Sequence, residues 1–245
     1  MHTINLPKEN IDNGFLTLIN SYHPMRSEPS DLIRFSEKFP QITLNPTANG
    51  ALKAALKEIG AGEKIVPVSG YRSFEEQADI YNSSLKENGT EYTKSFVALP
   101  GASEHQSGLA IDLALNEGEI DFIRPKFPYY GICQRFRTIA PKYGFIERYK
   151  ADKRVVTKIA GEEWHFRYVG YPHSKIITER NICLEEYIDY LKNFTYPENP
   201  LLWGKYRVFY IPFGCGSIEI DSAEKHTVSG NNADGYIITF EGECG

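Results

Sequence analysis

Several features that would define a class of protein are missing from this chain of 245 residues. It has no stretch near the roughly 18 consecutive apolar residues that a membrane-spanning helix needs. No run of basic residues occurs and the net charge is −5, so nucleic acid is disfavoured as a partner. No CxxC pair occurs, which argues against a disulfide framework or a thiolate zinc site. We interpret the four cysteines as independent reduced thiols: Cys133, Cys183, Cys215 and Cys244.

The N-terminus also lacks the apolar core of a signal peptide, because its first dozen residues are polar and charged. We therefore expect the protein to remain in the cytoplasm. What is present is an ordinary globular composition, with 41% hydrophobic and 24% charged residues, so the chain can bury a full core. Only six histidines occur, and two of them stand beside other residue types that bind metals.

Hydrophobic periodicity alternates between helical and strand-like segments along most of the chain. Helices are predicted over residues 45–60, 73–89, 129–144 and 184–194. Strands are predicted over residues 15–20, 64–72, 108–115, 144–149 and 163–170. Ser73 and Glu76 form a capping box, and Pro67 makes a central position for its strand less favourable. The pattern predicts an α+β fold with a mainly antiparallel central sheet flanked by helices.

The composition shifts after the segment YPENP at residues 196–200. Short strands and turns follow, and NNADG between two apolar runs is a strong hairpin signal. The segment is too small to hold a large core alone. We therefore predict a main domain over residues 1–195 and a β-rich C-terminal appendage over residues 196–245.

The segment SEHQSGLAID combines a histidine and a carboxylate with small residues between them. Asp112 falls in a predicted strand, and His105 lies in the turn before it. Gly108 lets the backbone swing the imidazole toward the carboxylate, and Ala110, on the same strand face as Asp112, leaves room. His165, on another strand, would supply a third ligand. Two imidazoles and one carboxylate suit a catalytic zinc, because a fourth position stays open for water.

Other polar residues could complete a catalytic site around these candidate ligands. A carboxylate, either Glu162 or Glu163, could take a proton from a water at the metal and return it to a leaving amine, and the spacing leaves both open. Arg72 could stabilise a developing oxyanion, although alone it would more often form a surface ion pair. Ser103 and Gln77 could bind a polar group of the substrate.

Three blocks of the sequence resemble the zinc D,D-peptidases of bacterial cell-wall metabolism, the family of the D-Ala-D-Ala carboxypeptidases and dipeptidases of vancomycin resistance. The family patterns S-x-H-x(2)-G-x-A-x-D, E-x-W-H and S-G-Y-R-S-x(3)-Q are met over residues 103–112, 162–165 and 69–77. The first alone would arise by chance on the order of once in ten thousand sequences. The resemblance covers about residues 15–195 and is strongest to the bifunctional VanXY type.

This resemblance implies one zinc ion per chain, held by His105, Asp112 and His165. It implies that Glu162, rather than Glu163, is the catalytic base. It also implies that an arginine polarises the scissile carbonyl group and that four further residues contact the substrate. These five residues are, in that order, Arg72, Ser103, Gln77, Tyr71 and Trp164.

The resemblance further implies hydrolysis of D-Ala-D-Ala and removal of the terminal D-Ala from the D-Ala-terminated muramyl pentapeptide precursor, which would contribute to glycopeptide resistance. One alternative is an L,D-carboxypeptidase of cell-wall tetrapeptides. Another is a zinc-containing module that binds peptides without cleaving them, against which Glu162 and Arg72 argue. The sequence does not determine the ratio of the two activities, the oligomeric state or the role of the C-terminal segment.

Overall fold

A computed structural model describes residues Met1–Gly242, and Cys244 lies outside the described residues. The strands are β1 (His2–Asn5), β2 (Ile33–Ser36), β3 (Phe39–Leu44), β4 (Ile65–Ser69), β5 (Ala110–Leu115), β6 (Phe145–Tyr149), β7 (Glu162–Tyr168), β8 (Leu201–Trp203), β9 (Tyr206–Pro212), β10 (Ser217–Ile220), β11 (Lys225–Gly230) and β12 (Gly235–Glu241). The α-helices are α1 (Pro46–Glu58), α2 (Phe74–Phe96), α3 (Gly131–Ile139), α4 (Arg154–Thr157), α5 (His173–Arg180) and α6 (Leu184–Leu191).

The chain forms two compact units. One comprises Ile19–Cys183, and the other joins Met1–Leu18 to the chain from Leu184 onward. The domain boundary predicted between residues 195 and 196 stays a prediction. In the part of the chain that the structure describes, no helix has the length and apolar character needed to cross a membrane.

The unit Ile19–Cys183 contains a four-stranded antiparallel sheet with the strand order β4-β5-β7-β6. Pro67 lies in β4, an edge strand, where a missing backbone donor is tolerated, as the sequence indicated. A separate antiparallel hairpin pairs β2 with β3. Helices α1–α5 belong to the same unit. The predicted α+β fold with a mainly antiparallel sheet is confirmed.

Two irregularities interrupt the pairing of this sheet, both next to the predicted metal ligands. In β4 the register shifts between Pro67 and Ser69, the residue that pairs with Asp112. Between β6 and β7 the register shifts again, from Glu147 to Tyr149 on β6. Such bulges bend a strand and change where its side chains point, and they are common beside active sites.

Helices α1, α2, α3 and α6 begin at or close to their predicted starts, but α2 continues further than predicted. The side chain of Asn45 caps α1, and Ser73 caps α2 in a capping box with Glu76. The predicted end of α2 at Gly89 is wrong, because the helix only breaks there, at φ 79°, and then continues to Phe96. Helices α4 and α5 were not predicted from the sequence.

The unit that contains both termini holds two antiparallel sheets. One has the order β11-β12-β9-β8, and the other pairs β1 with β10. The predicted hairpin is confirmed, because β11 pairs antiparallel with β12. In the turn between them, Asn231 Oδ1 accepts the N–H groups of Ala233, Asp234 and Gly235. Apolar side chains from both ends of the chain form one core, which includes Ile4, Leu6, Ile11, Phe209, Ile211, Ile218, Ile220, Tyr236, Ile238 and Phe240.

The predicted strand over residues 15–20 is wrong. The segment is apolar and largely buried, but its backbone makes no ladder within the described structure. Instead, the N–H of Leu16 donates to Ser229 Oγ at 2.9 Å, and the N–H of Leu18 donates to the Asn231 carbonyl at 3.0 Å. Irregular backbone can be buried in this way because its polar groups find other partners.

Candidate active site

Three buried side chains converge at the four-stranded sheet. Asp112 and His165 lie opposite each other on β5 and β7, and His105 lies in the 3-10 turn before β5. His105 Nε2 is 3.0 Å from Asp112 Oδ2, and His165 Nδ1 is 2.8 Å from Asp112 Oδ1. The candidate ligand atoms all lie within 4.8 Å of one another. The structure thus brings together the three residues that the sequence singled out.

The donor set fits a zinc ion that keeps a position open. Two imidazole nitrogens and one carboxylate oxygen give three ligands of the type found in catalytic zinc sites. The Nδ1 atom of His105 is 2.6 Å from the carbonyl oxygen of Gly70, which leaves Nε2 as the coordinating nitrogen. Such an outer hydrogen bond orients the ring and fixes its tautomer. These residues could therefore hold a metal.

Two glycines allow the loops to approach closely enough to make this arrangement. Gly108 has φ 68°, in the left-handed region, as expected for a residue that turns the chain between His105 and β5. A Cβ on Gly70 would lie 2.4 Å from the carbonyl oxygen of Thr43. A side chain there would therefore push the backbone of Gly70, whose carbonyl oxygen contacts His105, away from Thr43. Both glycines are required by the local geometry.

Burial and mutual charge determine the protonation of the three candidate ligands. Burial lowers the pKa of His105, which favours the neutral form. Burial alone would raise the pKa of Asp112, but His105 and His165 hold it well below its usual range. Burial alone would lower the pKa of His165, but Asp112 and Glu104 raise it to about 9. Below this pH the His165 ring carries a second proton, and a bound cation would take the place of that proton.

Glu162 is the first residue of β7 and lines the same cleft as the candidate ligands. Its Oε2 lies 4.0 Å from His165 Nδ1, near the ligands but outside coordination distance. Burial raises the pKa of Glu162 to about 8, so this carboxyl can gain or lose a proton near neutral pH. By contrast, Glu163 accepts the N–H of Phe127 at 3.2 Å. The geometry favours Glu162 as the candidate base.

Arg72 is held at the edge of the site by hydrogen bonds. Its Nη1 donates to Gln77 Oε1 at 2.7 Å, and its Nη2 donates to Ser69 Oγ at 3.0 Å. The amide nitrogen of Gln77 in turn donates to the carbonyl oxygen of Ala98 at 2.8 Å. Arg72 Nη2 also lies 3.9 Å from Asp112 Oδ2. The guanidinium is therefore a fixed cation beside the candidate metal site.

The remaining predicted residues are distributed unevenly around the cleft, which has a volume of about 540 Å³. Ser103, Gln77 and Trp164 line it, and all three are buried. Tyr71 is not among the described residues that line it, and its hydroxyl donates to Glu28. The roles of these four residues as substrate contacts stay predictions.

Sequence reasoning missed several residues that surround the candidate ligands. Glu104 is fully buried and ion-paired with Arg148 and Arg167. Tyr149 stacks on the ring of His165, with the ring centroids 4.9 Å apart. A signal was present, because a charged residue in an apolar strand, such as Arg167, needs a buried partner of opposite charge. The sequence alone did not identify that partner.

Comparisons with known proteins agree with the fold and the site. The family model of VanY, D-alanyl-D-alanine carboxypeptidase, matches residues 41–171. The chain is 45% identical over 179 residues to the bifunctional D-Ala-D-Ala dipeptidase and D-Ala-D-Ala carboxypeptidase VanXYC of Enterococcus gallinarum. The matched region covers 72% of this chain and 94% of that protein.

Two solved structures extend the comparison. The crystal structure of the vancomycin resistance D,D-dipeptidase VanXYg, in complex with a D-Ala-D-Ala phosphinate analogue, is 46% identical, with a TM-score of 0.95 and 98% coverage of both chains. A mutant of the D,D-pentapeptidase VanY from the VanB-type resistance cassette, in complex with Zn(II), is 27% identical, with a TM-score of 0.61, and covers 71% of this chain and 98% of that chain.

The fold and these similarities define the class, and the chain is a peptidase. More particularly, it belongs to the VanY family of D-alanyl-D-alanine carboxypeptidases.

Proposed function

We propose that this protein is a zinc-dependent D,D-peptidase with two activities. It hydrolyses the dipeptide D-Ala-D-Ala and removes the C-terminal D-Ala from D-Ala-terminated muramyl pentapeptide precursors. Loss of these D-Ala-D-Ala ends would deprive a glycopeptide antibiotic of its target, so the enzyme contributes to vancomycin resistance. The similarity to a bifunctional enzyme and to a dipeptidase bound to a D-Ala-D-Ala analogue supports this substrate class.

One observation carries the proposal: the three candidate ligands, Glu162 and Arg72 all line one cleft. We infer one zinc ion per chain at His105, Asp112 and His165, which is supported by the Zn(II) of the related VanY structure. A zinc ion bound there would supply a Lewis acid that acidifies a water and polarises a carbonyl group. A module that only binds peptides would have no use for a buried base and a fixed cation beside such a site.

The side chains around the metal site divide the chemistry between them. Glu162 accepts a proton from the attacking water and later delivers it to the amine of the departing D-Ala. Its burial beside Arg72 and His165 suits both steps, because its pKa lies at about 8. Arg72, fixed by Gln77, stabilises the negative charge that develops on the scissile carbonyl oxygen.

The replacement of Glu162 by Gln tests this assignment. Loss of general acid–base catalysis typically costs about 10²- to 10⁴-fold in rate. Glu162→Gln should therefore lower kcat by at least about 10²-fold while zinc stays bound. Glu163→Gln is the matched control, because Glu163 contacts Phe127 outside the cleft, and it should keep near-normal turnover. Near-normal activity of Glu162→Gln would exclude Glu162 as the base.

A substrate comparison separates the proposal from an L,D-carboxypeptidase. Purified protein with its zinc content measured is given D-Ala-D-Ala, a D-Ala-D-Ala-ended pentapeptide and a tetrapeptide that ends in L-Lys-D-Ala. We expect cleavage of the first two. Cleavage of the tetrapeptide alone would assign the L,D-activity instead, and zinc binding without any cleavage would assign a binding module. The cytoplasmic location stays a prediction, which fractionation of the producing cells can test.

A further inference from the structure

A buried cluster of three charges lies beside His165 and has no part in the chemistry proposed above. The side chains of Glu104, Arg148 and Arg167 expose none of their surface. Glu104 Oε1 accepts from Arg148 Nε at 2.8 Å and from Arg167 Nη1 at 2.9 Å. Burying charges is costly even when they are paired. A cluster placed next to a metal ligand therefore points to a role for the carboxylate it holds.

The second oxygen of Glu104 is directed at the metal ligand. Glu104 Oε2 lies 3.6 Å from His165 Nε2, and among the residues that the structure describes neither of these buried atoms has a hydrogen-bond partner. The other ring nitrogen, Nδ1, is 2.8 Å from Asp112 Oδ1. The ring therefore presents one nitrogen to the ligand carboxylate and the other to Glu104. Tyr149 stacks on the face of the ring and limits its rotation.

We propose that Glu104 is a positioning residue that accepts the Nε2–H of His165 and so presents Nδ1 to the metal. Histidines that bind metals usually donate their other N–H to a carboxylate or a carbonyl group, which fixes the tautomer and the ring orientation. His105 has a comparable outer partner, because its Nδ1 lies 2.6 Å from the carbonyl oxygen of Gly70 and its Nε2 stays available to the metal. Arg148 and Arg167 hold Glu104 ionised and in place.

The substitution Glu104→Gln reverses this hydrogen bond rather than merely removing it. The two arginines need an acceptor, so they retain the amide oxygen of the glutamine, and its NH2 group then faces His165 Nε2. An N–H donor at this position favours the tautomer that carries its proton on Nδ1, the atom that must bind the metal. Zinc affinity should fall by about 10- to 100-fold, the usual effect of losing such an outer partner.

Zinc affinity is measured by competition with a chromophoric chelator, and the His165 ring protons are followed by NMR with 15N-labelled histidine. Glu147→Gln is the matched control, since Glu147 lies on β6 of the same sheet but pairs with Arg137 of α3. We expect unchanged zinc affinity in this control. In the wild type we expect a deshielded Nε2–H signal, which Glu104→Gln should lose.

The outcomes separate a positioning role from a structural one. If Glu104 only stabilises the fold, Glu104→Gln will lower stability but leave zinc affinity and the ring signal unchanged, and the proposal is overturned. An equal loss of affinity in Glu147→Gln would also overturn it. Should Glu104→Gln fail to fold, Glu104→Gln with Arg148→Met, which removes one positive charge with the negative one, carries the same test.

This inference rests on the proposed zinc site, and the wild-type protein separates the two. A wild type that binds no zinc would overturn both proposals. A wild type that binds zinc but does not cleave D-Ala-D-Ala would overturn the proposed function and leave the affinity comparison for Glu104 intact. Weaker zinc binding in Glu104→Gln would then support the positioning role without reference to activity.

Discussion

Replacement of Gln77 by Met should impair turnover rather than substrate binding. Gln77 Oε1 accepts from Arg72 Nη1 at 2.7 Å, and its NH2 group donates to the Ala98 carbonyl at 2.8 Å, so both ends of the amide are engaged within the protein. A hydrogen bond to a charged group contributes about 1.5–3 kcal/mol. If that energy keeps the guanidinium in its reactive position, its loss lowers kcat by about 10- to 150-fold. Ser69 still holds the other end of Arg72.

Steady-state kinetics on D-Ala-D-Ala decide between this role and the direct substrate contact that the sequence suggested. If Gln77 positions Arg72, kcat falls while KM and zinc content stay close to the wild-type values. If Gln77 binds the substrate directly in ground and transition states alike, KM rises and kcat is unchanged, and the positioning argument is refuted. Gln134→Met, at an exposed position of α3, controls for the general effect of the substitution.

Three further predictions follow from other parts of the structure. Gly108→Ala should lower the free energy of unfolding by about 1–2 kcal/mol in denaturant titrations, because φ is 68° there and the new Cβ would lie 2.5 Å from Leu32 Cδ2. Zinc binding should release a proton below about pH 9, because the metal-free His165 is protonated there. Calorimetry in buffers of different ionisation enthalpy measures this proton release, and titrations at several pH values should show zinc affinity rising with pH up to about 9. A pH-independent affinity would contradict this prediction. Ile238→Ala, in the core of the unit that contains both termini, should destabilise by about 2–5 kcal/mol, whereas a change below 1 kcal/mol would mean that the site collapses around the smaller side chain.

Much of the fold could be predicted from short sequence signals, because helix caps, turns and proline positions depend on the local backbone. The capping residues of α1 and α2, the edge position of Pro67 and the hairpin at Asn231 all follow from local backbone chemistry. These signals failed where tertiary contacts took over. Gly89 has a non-helical backbone, but the helix continues beyond it, where Thr93 Oγ1 lies 2.8 Å from Ser84 Oγ in a buried pair that spans the break.

The candidate ligands could be predicted from sequence because their chemistry is unusual, whereas their supports could not. His105 and Asp112 stand within one short segment, and few residue types suit a metal. The partners of Glu104 come from β6 and β7, and no local pattern relates these strands to the turn that carries it. Such a triad is visible only when the sheet brings three distant segments together.

The spacing of Glu162 and His165 contains structural information of its own. In a regular strand, side chains three residues apart point to opposite faces, so a strand over this segment would separate the base from the ligand. Here both line one cleft, and the register between β6 and β7 shifts at this place: Glu147 pairs with Phe166, but Tyr149 pairs with Glu162. The block E-x-W-H therefore requires an irregular strand to work.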